Sequence, residues 1–89
     1  MIAKRIQVQG KVQGVFFRAS TKSTAEDLDL KGWVRNEPDG SVLIEVQGEA
    51  SQMNKFTEWC ESGPTYASVT DIKIEDISIQ SFTGFQILH

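Results

Sequence analysis

From residue 5 to residue 12 the chain alternates without interruption. Ile6, Val8, Gly10 and Val12 fall on one parity, and Arg5, Gln7, Gln9 and Lys11 on the other. Successive side chains of a strand point to opposite faces, so this pattern predicts a strand with one apolar and one polar face. Such a strand fixes the architecture: its apolar face needs a covering layer, and its other face can stay wet.

The covering layer is found in two further stretches. The run Arg18 to Leu30 lacks proline and glycine and sets Thr21, Ala25 and Leu28 at helical spacing, with a thin apolar stripe. Met53, Phe56 and Cys60 fall at i, i+3 and i+7 of a second helix, for which Ser51 is the expected N-cap and Gly63-Pro64 the stop. Between the helices, residues 32 to 47 read as a hairpin: Gly32, Trp33, Val34, Arg35 and Asn36 lead into the turn Pro38-Asp39-Gly40, and Val42, Ile44 and Val46 alternate after it. A last strand pair is expected from Val69, Ile72 and Ile74, and from Phe85 and Ile87. Ile77 and Ile79 lie on the opposite parity from Ile72 and Ile74, which implies a bulge or a strand end. The order is β-α-β-β-α-β with a short terminal strand. That is the split βαβ, ferredoxin-like α+β arrangement, with two helices on one face of an antiparallel sheet. It does not by itself give a function.

At 89 residues the chain is long enough for one domain, expected over 1–89, and for one site on one core. It offers no run of the roughly 20 apolar residues that would span a bilayer, and Met1 to Arg5 lead straight into the first strand without the pattern of a signal peptide. A single cysteine, Cys60, rules out an internal disulfide and suits a reducing cytoplasm. With His89 the only histidine, no zinc or redox centre of the usual ligand types is expected; carboxylate-only magnesium binding stays open. Up to residue 35, seven Lys or Arg stand against three Asp or Glu; from residue 36 there are two against nine. A basic first third can attract a small anion, but nucleic-acid binding would require a broader positive surface, and Trp33 and Trp59 read as core rather than base-stacking residues. The uneven charge also fits a merely solvated surface. Cys60 reads as a buried, inert thiol and His89 as a frayed end.

The segment Gly10-Lys11-Val12-Gln13-Gly14-Val15-Phe16-Phe17-Arg18 lies where the first strand passes into the first helix. Such a turn exposes consecutive N–H groups that the helix cannot use, and these suit an anion. Gly14 permits the positive φ that curls the backbone round a ligand, and Arg18 can offer a guanidinium to the same anion. A plain strand-loop-helix turn with a solvated arginine is the other reading of the same residues. Val15, Phe16 and Phe17 read mainly as packing residues. Asn36, placed just before a turn, is ordinary turn chemistry, or else a carboxamide that orients a water without adding negative charge.

Taken together, Gly-Lys-Val-Gln-Gly-Val-Phe-Phe-Arg and the later Gly-Trp-Val-Arg-Asn with its following Asp-Gly resemble the two signature segments of the acylphosphatases. Gly48-Glu49 and Ser62-Gly63-Pro64 resemble that family as well, so the likeness covers nearly the whole chain. The resemblance implies hydrolysis of the carboxyl–phosphate bond of acyl phosphates, without a metal or other cofactor. It implies a phosphate-binding loop made of Gln13, Gly14, Val15, Phe16, Phe17 and Arg18, with Arg18 and Asn36 as the catalytic pair. The expected ligands are a small acyl phosphate and inorganic phosphate or other small anions, with no nucleic acid and no membrane, on a monomer. Asp29 departs from the glycine that the family commonly places at the end of the first helix. The ending Leu88-His89 departs from the basic or aromatic ending often seen there. A binding module that senses an anionic metabolite without turning it over is the rival. An N-terminal acylphosphatase-like domain of a larger carbamoyl-transfer protein is not expected of a chain that stops at residue 89.

Overall fold

Alternation in β1 (Ile2–Lys11) places Ile6 and Val8 wholly out of solvent, with Arg5, Gln7 and Gln9 on the other side. The structure is a computed structural model and describes residues 1–89. After β1 come α1 (Phe17–Asp27), β2 (Lys31–Asn36), β3 (Val42–Gly48), α2 (Ala50–Ser62), β4 (Ser68–Ile77) and β5 (Phe85–Ile87). The sheet order is β4-β1-β3-β2-β5. β3 lies between β1 and β2, and β1 lies between β3 and β4, so each helix bridges two parallel strands across an antiparallel one. These two interleaved crossovers set both helices on one face of the sheet.

The pairing register decides which residues form the core. Ile6 stands opposite Ile44 and Ile74, Val8 opposite Val42 and Ile72, and Val34 opposite Ile44. Phe17, Thr21 and Ala25 of α1, and Met53, Phe56 and Cys60 of α2, descend onto that surface and are fully or almost fully buried. Burial of each large apolar side chain stabilises the fold by about 1.5–3 kcal/mol. Trp59, partly buried, stacks on Phe17 and Phe56 at ring-centroid distances of 5.5 and 6.1 Å, so the two helices share one aromatic contact.

Several local expectations are corrected. Helix α1 starts one residue early, at Phe17, and stops at Asp27, after which Asp29 takes the left-handed conformation at φ 56°. Helix α2 is capped by Glu49 rather than Ser51, with no side-chain capping bond, and Ser51 lies inside the helix. The last two strands do not pair with one another. They occupy opposite edges, and β5 runs parallel to β2, with Gly32, Trp33 and Val34 opposite Phe85, Gln86 and Ile87. The sheet is therefore mixed rather than antiparallel. The parity change after Ile74 marks the end of β4 at Ile77, which pairs with Ala3, whereas the register shift lies earlier, between Gln9 and Gly10. There Gly10 has φ 123°, and a Cβ would collide with the carbonyl oxygen of Ser68, so only glycine allows β4 to approach.

Residues 78–84 must cross the uncovered face to carry the chain from one edge to the other. Gln80 anchors that crossing: its N–H donates to Gln47 Oε1 (2.7 Å), and its carbonyl accepts from Gln47 Nε2 (2.9 Å). Beside it Glu45 is buried on the otherwise wet face and accepts from Arg5 Nη2 (2.6 Å) and Nε (2.8 Å). Hydrogen bonding and charge from Glu45 raise the Arg5 pKa further.

Burial in the apolar layer pushes the Cys60 thiol pKa up, well above its ordinary value, and the thiolate is the reactive form. Iodoacetamide at mildly alkaline pH should leave the native protein unlabelled and modify Cys60 completely once urea unfolds it, as read by mass spectrometry. In the β2–β3 turn, Asp39 Oδ1 accepts from the Ser41 hydroxyl (2.6 Å) and the Ser41 N–H (2.9 Å), and these bonds hold the carboxyl below its usual range. The resulting stabilisation is complete above about pH 4, the unfolded value, and fades as pH falls through the lowered folded value. Asp39→Asn should therefore flatten the acid side of a plot of urea midpoint against pH.

Candidate active site

The chain between β1 and α1 is held at one end of the sheet by Gln13. Its Nε2 donates to the carbonyls of Glu37 (2.8 Å) and Ser41 (2.9 Å), at either side of the β2–β3 turn. The side chain of Gln13 is thus engaged within the protein, and anything it lends to a ligand comes from its main chain. Its two bonds place the loop beside Asn36, the last residue of β2 and the neighbour of Glu37.

Beyond Gln13 the backbone turns sharply. Gly14 has φ 74°, and Phe16 has φ 63° and ψ 22°. The main-chain N–H groups of Gln13, Gly14, Val15 and Phe16 donate to no acceptor in the protein. The helix makes its first internal bonds later, from Ser20 to the Phe16 carbonyl (3.0 Å) and then within α1, so the N–H groups of Phe17, Arg18 and Ala19 precede its ladder. The result is a run of free donors at a helix N-terminus, where the helix dipole also favours negative charge.

Within this segment the side chains divide. Val15 is 5% exposed and Phe17 1% exposed, and both belong to the core as expected. Phe16 is a correction: it was expected to pack, yet it is 73% exposed. A left-handed conformation costs a residue with a side chain about 1–2 kcal/mol, and burial does not offset it here. Arg18, in the first turn of α1, lines a cavity of about 300 Å³ together with Gly14, Phe16, Ala19, Ile87 and His89. His89 is the second correction, because it is placed against the site rather than frayed: its Nδ1 lies 3.3 Å from Arg18 Nη1. A guanidinium only donates, so Nδ1 is the acceptor in this contact. The sequence carried no signal for it, since the contact depends on β5 being delivered to the β2 edge.

Asn36 does not line the cavity at Arg18; it belongs to the sheet, whose helix-bearing face it shares with the core. It pairs with Val42, as Val34 pairs with Ile44, and these apolar neighbours are wholly buried under the helices. Strand parity therefore directs the Asn36 side chain to the helix-bearing face. Its Oδ1 is buried and has no hydrogen-bond partner in the protein. An unpaired buried acceptor costs about 1–3 kcal/mol, so a native structure that keeps one calls for a reason outside folding. The neighbouring residues on the opposite face are accounted for: Arg35 stacks over Trp33 at 4.9 Å and donates to Glu37 (3.2 Å).

No three His, Cys, Asp or Glu side chains converge to form a metal-binding group. No helix is long and apolar enough to cross a membrane. The turn, Arg18 and Asn36 offer main-chain donors, one cation and one carboxamide, groups of the kind that can hold a tetrahedral oxyanion and aim a neutral nucleophile.

Comparison with known proteins gives the family. The family model described as Acylphosphatase matches residues 4–87. An acylphosphatase of Marinobacter nauticus is 47% identical over 83 residues, covering 92% of this chain and 90% of that protein. One from Acaryochloris marina is 42% identical over 88 residues, covering 99% and 95%. The crystal structure of acylphosphatase from Bacillus subtilis superposes with a TM-score of 0.97 at 36% identity, over 100% of both chains. With the match running from β1 to β5, the chain belongs to the acylphosphatase family, hydrolases of the carboxyl–phosphate bond of acyl phosphates.

Proposed function

We propose that this hydrolysis takes place in the cavity at Arg18, with Gln13 to Arg18 as the phosphate-binding loop and Asn36 as the residue that positions water. The run of unpartnered N–H groups ending at the Arg18 guanidinium carries the reading. Phosphoryl oxygens accept from those amides and from Arg18. Fixed donors of this kind need no reorganisation as charge shifts in the transition state. The Asn36 carboxamide, whose oxygen has no partner within the protein, accepts a hydrogen bond from the attacking water and keeps it in line with the bond to be broken.

The water oxygen attacks phosphorus, the bond from phosphorus to the bridging oxygen breaks, and its electron pair leaves on the carboxylate. A carboxylate departs without being protonated, so the step requires no general acid. The water's proton passes to a phosphoryl oxygen of the substrate itself. In this reading the protein acts as a monomer, one domain over residues 1–89, in the cytoplasm. It uses no metal or cofactor, binds inorganic phosphate or other small anions in the same loop, and takes neither nucleic acid nor membrane as partner.

Benzoyl phosphate or acetyl phosphate, followed by loss of substrate in the presence of EDTA, tests the reading; turnover that stops with EDTA would overturn its metal-independent chemistry. Arg18→Ala should lower kcat/KM by about 10³-fold or more and also weaken inhibition by inorganic phosphate. Asn36→Ala should lose turnover while keeping phosphate affinity, with the melting temperature unchanged or raised because an unpaired acceptor is removed. Normal turnover in Asn36→Ala would refute its assigned role. Gln13→Ala, which frees the loop from the β2–β3 turn, should reduce kcat without removing any group proposed to touch substrate through its side chain.

A further inference from the structure

The two edges of the sheet are unlike. β5 closes one of them with three residues, whereas β4 leaves the other open along ten, Ser68–Ile77, and pairs with β1 alone. The N–H and carbonyl of every second residue in such a strand point away from the sheet, where another chain can pair with them. A bulge or a proline is a common defence. β4 has its irregularity at one end only: Gln9 stands opposite Asp71 and Gly10 opposite Val69, so Thr70 is the extra residue. From Asp71 to Ile77 the strand is regular and holds no proline.

The side chains of that regular stretch complement themselves. Ile74 stands opposite the wholly buried Ile6, yet it is 42% exposed, because no strand lies beyond it. Lys73 and Glu75 flank it on the other face. Glu75 accepts from Arg5 Nη1 (3.3 Å) and Asp76 from Lys4 Nζ (2.7 Å), but Lys73 has no carboxylate partner in the chain. A second copy that adds antiparallel to this edge about a two-fold axis normal to the sheet keeps each residue on its own face. The axis must then pass through a residue position. Centred on Ile74, the pairing takes in the whole regular stretch, sets Ile74 against its counterpart and places Lys73 of each copy opposite Glu75 of the other. An axis one residue away keeps only Asp71–Glu75 or Lys73–Ile77 in register. It also sets lysine against lysine or glutamate against glutamate, which is unfavourable directly across a ladder.

We propose that the β4 edge is a self-recognition surface, where two copies of this chain join antiparallel about Ile74 and continue one sheet through both. A two-fold contact uses both β4 edges, so association stops at two. β4 and β5 lie at opposite edges, and the cavity at Arg18 is walled by Ile87 of β5. Each copy therefore keeps a site of its own, and the single chain remains the catalytic unit. Pairing of one short strand lies at or below the roughly 1,200 Å² at which stable interfaces begin, so a Kd on the order of 10⁻⁴ M is expected.

Sedimentation velocity at low salt, from about 10 µM to about 1 mM protein, should show a monomer–dimer equilibrium that weakens as salt is raised. Lys73→Glu and Glu75→Lys each turn two attractive pairs into two repulsive ones and should raise Kd about tenfold or more. Combined in one chain, the two exchanges should restore association. If Glu75→Lys, which also gives up Arg5, does not fold, Ile74→Lys replaces it: two lysines then meet at the axis, and both this variant and Lys73→Glu must weaken the dimer. A native protein that stays monomeric throughout, species that grow beyond two, or a charge exchange that fails to restore association would overturn the proposal. Every folded variant should keep the native kcat/KM for acetyl phosphate, and a fall would refute the separation of this edge from the site.

Discussion

Main-chain amides have to be partnered when they leave water, and a folded chain satisfies nearly all of them within its strands and helices. The passage from β1 to α1 is the exception on which the rest of this molecule depends. Seven successive residues, Gln13 to Ala19, present N–H groups to no acceptor of the protein, and such a turn persists only while neighbouring elements keep it from collapsing into an ordinary helical start. Gln13 does so from one side by bonding across to Glu37 and Ser41. Phe17 does so from the other, because its buried ring anchors the first residue of α1 in the core beside Trp59. The loop is thus suspended between a polar tether and an apolar one, and both its shape and its emptiness of internal bonds follow from them.

The two faces of the sheet divide the remaining work. The helix-bearing face holds the core and, at one end, Asn36. The other face is organised by the Arg5–Glu45 pair and by the crossing of residues 78–84, with Gln80 bonded to Gln47 and to Glu45 Oε1 (3.3 Å). The chain carries a net charge of −3, so attraction of an anion cannot come from an overall positive field. It has to come from short-range donors and from Arg18, which is where the positive character of the first third of the sequence becomes local.

Much of this was legible in the residues. Strict alternation in β1 and β3 and the spacing of Met53, Phe56 and Cys60 are direct consequences of strand and helix periods, so they gave the layers and the core. The two segments proposed for the site stood out because both are contiguous and adjoin turns, but their residues alone fitted ordinary turn chemistry equally, and only the resemblance to the acylphosphatases implied roles for them. What escaped detection depends on long-range geometry or on a competing local rule. Three residues of β5 contain no information about whether they will lie parallel to β2 or antiparallel to β4, and the approach of His89 to Arg18 depends on that choice. Ser51 satisfies the capping preference as a residue type, but the helix began earlier, at Ala50 after Glu49. Phe16 was judged by its hydrophobicity, which predicts burial, whereas the positive φ required by the turn directs its ring outward.

β5 is three residues long, pairs with β2 alone, and is flanked by bonds from Gly32 N–H to the Gly84 carbonyl (2.8 Å) and from Leu88 N–H to the Val34 carbonyl (2.9 Å). Its removal from the edge would sever little of the network that holds the other four strands together. Amides in such a segment open by excursions far cheaper than global unfolding and exchange their hydrogens accordingly. One wall of the cavity at Arg18 is therefore carried on the shortest strand of the sheet, so local opening of β5 reshapes that wall while the β1–α1 turn and Arg18 stay in place.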